Sequence, residues 1–172
     1  AGVLVGALPY HFGTKEALYR AIWDHWISLV TPEVLLGEID VNTEVPRAQA
    51  LRSIVAAFFE GPARLLRDPQ GHYFVTIMVR EANDPGSEAR GLLEEFVYPS
   101  GEIFRDQVAA LLPEMSGKVL DVGFELMVAA LRIAIERPRV PTGNDQPQDE
   151  YTELFDLLVE FVVQGWLAVA TR

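Results

Sequence analysis

The three histidines, at positions 11, 25 and 72, are the side chains best suited to moving protons or holding a metal near neutral pH. None stands at a metal-ligand spacing from another or from a carboxylate. The sequence also lacks a Gly-x-Ser-x-Gly elbow, a Gly-x-Gly-x-x-Gly turn and a phosphate-cradling Walker loop. Cysteine is absent, which removes disulfides, thiolate metal sites and cysteine nucleophiles together. The chain therefore reads as a binding protein rather than an enzyme, with no metal and no cofactor expected.

Helices must position whatever binds. Apolar side chains recur at intervals of three and four, while strand-like alternation and Asn-Gly hairpin turns are missing, so the expected fold class is all-α. Val5 to Phe12 reads as a short helix closed by Gly13. Thr14 caps a long one whose stripe runs through Ala17, Leu18, Ala21, Ile22, Trp26, Ile27 and Val30. Pro32 predicts a bend near its end, and Gly37 to Pro46 a connection. Arg47 to Arg67 aligns Leu51, Ile54, Val55, Phe58 and Phe59, with Gly61-Pro62 as a kink and Asp68-Pro69 as a stop.

Gln70 to Asn83 follows, ending at the turn Asp84-Pro85-Gly86. Ser87 to Leu112 is expected to kink or break near Pro99. Ser116 to Arg137 and Asp149 to Ala170 form the last two helices, joined by the proline-rich stretch Pro138 to Gln148, which reads as a flexible linker. Both are apolar enough to build a self-complementary dimer surface, with small residues at Gly123, Ala130 and Ala134 facing Phe155, Leu158, Val162 and Trp166. The same pattern also fits two plain core helices.

Charge is unevenly placed. The net charge of -11 argues at first against a nucleic-acid partner, because phosphates are met by clustered Lys and Arg. Residues 1 to 20, however, carry Lys15 and Arg20 against Glu16, so the deficit belongs to the rest of the chain. No apolar run reaches the roughly 18 residues that cross a bilayer and no export leader is visible, so a cytoplasmic protein without a membrane partner is expected. The start at Ala1, inside what reads as a turn, implies a missing upstream segment.

The stretch Ala1-Gly2-Val3-Leu4-Val5-Gly6-Ala7-Leu8-Pro9-Tyr10-His11-Phe12-Gly13-Thr14-Lys15-Glu16-Ala17-Leu18-Tyr19-Arg20-Ala21 resembles the DNA-binding signature of TetR-family transcriptional regulators. In that family an Ala-Gly-Val turn leads into a short recognition helix. A Tyr/His-Phe pair then passes through Gly-Ser/Thr-Lys-Glu into a long helix. Arg80 to Pro85 and Ser87 to Gly91 also resemble the ligand domain of some members. Leu4 and Pro9 depart from the pattern, standing where a capping Ser or Thr and a Tyr are usual. Loss of such a cap typically costs about 1 kcal/mol.

The resemblance implies two parts. Residues 1–30 would be the C-terminal part of a helix-turn-helix domain running into the connecting helix, with its first helices lying upstream. Residues 31–172 would be a helical bundle that binds ligand and dimerises. Val5, Gly6, Tyr10, His11 and Lys15 are the implied DNA contacts. The implied pocket takes in Trp26, Phe58, Phe59, His72, Met78, Arg80, Tyr98, Phe104 and Met127, with Glu81 and Gln107 as further polar candidates. Arg80 with Glu81 reads as a structural ion pair or cap rather than an anchor. The implied function is a ligand-responsive regulator, a repressor that binds palindromic operator DNA as a homodimer and is released by a small, largely apolar effector. The alternative is a helical dimerisation or small-molecule-binding module with no DNA-binding activity.

Overall fold

The computed structural model describes residues 12–37, 45–136 and 147–171, and all regular structure among them is helical. Nine helices follow in order among the described residues: α1 (Lys15–Ile27), α2 (Pro32–Gly37), α3 (Arg47–Arg67), α4 (Gly71–Asn83), α5 (Ser87–Arg90), α6 (Leu92–Phe96), α7 (Tyr98–Leu111), α8 (Gly117–Glu136) and α9 (Pro147–Ala170). The short helix expected at Val5 to Phe12 and the linker expected at Pro138 to Gln148 lie mainly outside the described residues.

The helix α3 is the axis of the bundle, touching α2, α4, α7 and α9, with its longest contact against α9. Its sequence explains why. Leu51, Val55, Phe59 and Ala63 repeat every four residues and are all but fully buried, and Ile54 and Leu66 widen the stripe. Pro62 stands inside this helix, where it removes one ladder hydrogen bond. Gly61 lets α2 approach closely, since a Cβ there would lie 3.1 Å from Leu35 Cδ1.

Caps set most boundaries. Gly13 takes φ 72°, and the Thr14 hydroxyl accepts the Ala17 amide at 3.1 Å to open α1. At the stop expected after Arg67, Asp68 Oδ1 accepts the amides of Gln70 at 2.7 Å and Gly71 at 2.8 Å. Only glycine fits at 71, because a Cβ would meet the Leu65 carbonyl oxygen at 2.5 Å.

Two boundaries differ from the sequence expectation. The long first helix stops at Ile27, and Pro32 opens the separate helix α2, where its missing amide is one of the unpaired starts of any helix. The 87–112 region breaks twice, at Gly91 with φ 63° and at Val97, and Pro99 then falls in the first turn of α7 rather than mid-helix. Proline is tolerated there for the same reason.

Candidate functional site

Trp23 is the one fully buried side chain of α1, and it sits in an aromatic cage. Phe74 meets it edge-on with centroids 5.3 Å apart, Tyr19 lies at 6.5 Å and Phe96 at 6.2 Å. Such pairs hold both position and angle. Two polar ties fasten the same helix: Arg20 pairs with Glu95 on α6, and Tyr19 OH donates to Glu81 Oε2 at 3.3 Å. The helix that begins at Thr14 is thus anchored to α4 and α6.

Glu81 is a buried carboxylate held by Arg90, whose Nε donates to Glu81 Oε1 at 2.7 Å while Nη2 donates to Asp84 Oδ2 at 2.5 Å. These hydrogen bonds hold the Arg90 guanidinium above its ordinary pKa. Burial pushes the Tyr19 hydroxyl up as well. The expected Arg80–Glu81 pair is corrected here, for Arg80 is exposed and Glu81 turns inward to Arg90. Neighbours on a helix point about 100° apart, so they cannot face each other.

Beside the cage lies a cavity of about 640 Å³, within the range of ligand pockets. Ile27 and Val30 at the end of α1, Leu35 of α2, and Phe58, Gly61, Pro62 and Leu65 of α3 form one wall. Met78 of α4 with Phe96, Val97, Tyr98, Ser100, Gly101, Glu102, Phe104 and Arg105 form a second, and Phe124, Glu125, Val128, Ala129, Leu131 and Arg132 of α8 a third. Phe58 is the pivot of the wall, meeting Phe104 and Phe124 edge-on with centroids 5.5 Å apart in each case. The surface is mainly apolar, with Tyr98, Ser100, Glu102, Arg105, Glu125 and Arg132 as its polar members.

Phe58, Met78, Tyr98 and Phe104, expected at the pocket, all line this cavity. The others are elsewhere. Phe59 turns to the opposite side of α3 against Phe155, with centroids 6.1 Å apart. Trp26 stacks on Phe74 at 6.2 Å, and Met127 is buried in the core. His72 lies beside Tyr73 with its Nδ1 buried and without a hydrogen-bond partner among the described residues, and Arg80 faces outward. The sequence reading missed Phe96, Pro62, Glu102, Arg105 and Glu125. Pro62, which interrupts the hydrogen-bond ladder of α3, was the available signal.

Of the residues expected at DNA, Lys15 is exposed at the start of α1. Val5, Gly6, Tyr10 and His11 lie outside the described residues. Of those expected at the dimer surface, Ala134, Phe155, Val162 and Trp166 are buried within the chain itself, and Ala130 and Leu158 are half-buried. Gly123 seats the Trp166 ring so closely that a Cβ would lie 2.8 Å from Cζ2. The outward faces of α8 and α9 carry different apolar residues: Leu126 is 66% exposed, Ile133 67%, Leu157 66% and Phe161 74%.

A helical bundle with an apolar cavity and a capped, anchored leading helix is the geometry on which the family comparison falls. A family model described as the tetracyclin repressor-like C-terminal domain matches residues 56–165, more than half of the chain. The chain belongs to the TetR family. No curated protein and no solved structure matches it. The match covers α4 to α8 whole, most of α3 and much of α9, so the cavity of this TetR-family regulator lies mostly within the matched region. No helix among the described residues is long and apolar enough to cross a membrane.

Proposed function

We propose that this TetR-family regulator is a cytoplasmic, non-enzymatic repressor that binds palindromic operator DNA as a homodimer and is released by a small, largely apolar effector in the α3/α4/α7/α8 cavity. In this reading residues 1–30 belong to the DNA-binding part and residues 31–172 to the regulatory part. Val5, Gly6, Tyr10, His11 and Lys15 serve the first. One observation carries the reading: Phe96 lines the cavity and also packs on Trp23 of α1. A ligand on one side of this ring and the DNA-proximal helix on the other share a single side chain.

An effector acts by binding one arrangement of the bundle more tightly than the other, which shifts the population away from the DNA-competent spacing. The dimer surface in this reading is the outward stripe of α8 and α9 around Leu126, Ile133, Leu157 and Phe161, an exposed apolar patch of the kind that marks a protein interface.

The test is selection of bound DNA from a random pool at fixed salt, using the full-length protein. Enrichment of a palindrome, and loss of binding on adding an apolar effector, are the expected results. Failure to enrich any palindrome would leave a dimerisation or small-molecule-binding module in place of a regulator.

A further inference from the structure

The charges around the cavity divide into two kinds. Arg105 is spent: its Nε and Nη2 reach Asp121 Oδ1 at 2.8 and 2.6 Å, and Nη1 reaches Asp106 at 3.2 Å. These hydrogen bonds hold its pKa above the ordinary value, so its charge is already answered. Arg132 has Glu136 at 3.9 Å. Glu102 on the second wall and Glu125 on the third line the same cavity and have neither a hydrogen bond nor an ion pair among the described residues. The cavity's surroundings therefore carry carboxylates in excess, and two of these are unengaged at the apolar surface.

We infer that the effector is an amphipathic monocation, an apolar body bearing one ammonium-like centre. This rests on the cavity reading above and deepens it. The apolar body is what a wall of Phe58, Phe104 and Phe124 accepts, and the aromatic faces add a cation–π attraction near the charged end. An anionic head is disfavoured on the same geometry. It would find both guanidiniums already facing carboxylates and would meet Glu102 and Glu125 as like charges. A neutral apolar molecule gains the burial but leaves the carboxylates unanswered.

Three probes of equal chain length separate these cases: decyltrimethylammonium, 1-decanol and decanoate, titrated calorimetrically into the protein below their micellar concentrations at one ionic strength. The cation is expected to bind about fivefold or more tighter than the alcohol, the size of effect that partly exposed charges give at moderate salt, with decanoate weakest. In the double variant Glu102→Gln/Glu125→Gln the advantage of the cation over the alcohol falls below about twofold, the neutral amides offering no such attraction. Both side chains are exposed and unpaired, so the variant folds, and unchanged far-UV circular dichroism checks this. Decanoate binding as tightly as the cation, or an advantage that survives in the double variant, overturns the inference while the apolar cavity reading stands. If none of the three binds, the cavity reading itself fails and takes the inference with it.

Discussion

Glu81 on α4 and Arg90 on α5 form an ion pair in which the carboxylate is only 3% exposed while the guanidinium reaches solvent. The asymmetry decides what each substitution does. Arg90→Ala leaves a buried carboxylate with only Tyr19 OH as a donor, whereas Glu81→Gln keeps one acceptor oxygen for Arg90 and turns an amide NH2 toward the Tyr19 oxygen, which can accept from it. Glu81→Gln should cost about 1.5–3 kcal/mol, the range for hydrogen bonds to charged groups. Arg90→Ala should lower the melting temperature further than Glu81→Gln does, and Arg90→Lys should recover part of the loss. Thermal unfolding of the three variants reads this order directly.

Acid should weaken the fold through Glu60. Burial alone would raise its pKa, yet the hydrogen bonds and charges of Arg67 and Arg64 win and hold the carboxylate below its ordinary 4.5. A depressed folded pKa contributes stability that is full above the unfolded value and is lost as pH falls through the folded one. Melting temperature should therefore fall as pH drops below about 4.5. Arg67→Ala should flatten that fall, by making the pH 7 protein less stable while changing little at pH 3. A variant with an equally steep acid limb would show that Glu60 is not its source.

Gly123 and Trp166 set how closely α8 and α9 pack. A methyl group at 123 runs into the rigid indole, so Gly123→Ala should lose about 1–3 kcal/mol through overpacking despite alanine's better helix propensity. Trp166→Phe in the same background should restore part of it by opening space. Denaturant unfolding of the single and double variants measures the coupling.

Much of this was legible in the sequence where one signal acts alone. The helix α3 begins and ends where its four-residue stripe and the Asp68-Pro69 stop place it, and Thr14 caps α1 as its hydroxyl type predicts. Adjacent residues on one helix were not separable. Phe58 and Phe59 belong to the same apolar arc, and only the placement of α7, α8 and α9 sends the first to the cavity and the second to Phe155. The same limit hid the partner of Glu81, because Arg80 is its neighbour in sequence while Arg90 arrives through the turn after α4. The αL turn at Gly91 splits what periodicity reads as continuous helix, since a heptad-like pattern survives a short break.

The outward stripe of α8 and α9 distinguishes assembly from folding. Phe161→Glu with Leu126→Glu changes side chains that are mostly in solvent, so the single chain should still fold. Light scattering at micromolar concentration should then report a monomer for the variant and a dimer for the unaltered protein. Phe155→Ala is the contrasting variant. Its side chain is buried within the chain, and the loss should be about 3–5 kcal/mol of stability. A double glutamate variant that stays dimeric would move the interface elsewhere.

Phe96 offers the sharpest test of how the cavity speaks to α1. Its ring faces ligand space on one side and Trp23 on the other, with centroids 6.2 Å apart and planes 37° from each other. Phe96→Leu keeps an apolar wall but removes the flat face against the indole, so effector affinity should fall only a few-fold. Coupling is a separate quantity, the ratio of operator affinities with and without effector, and it is this ratio that should shrink. Fluorescence anisotropy of labelled operator, titrated with and without saturating effector, reads both quantities in one experiment. If Phe96→Leu weakens effector binding but leaves the ratio untouched, the signal reaches α1 by another route, and the Tyr19–Glu81 and Arg20–Glu95 ties become the places to cut next.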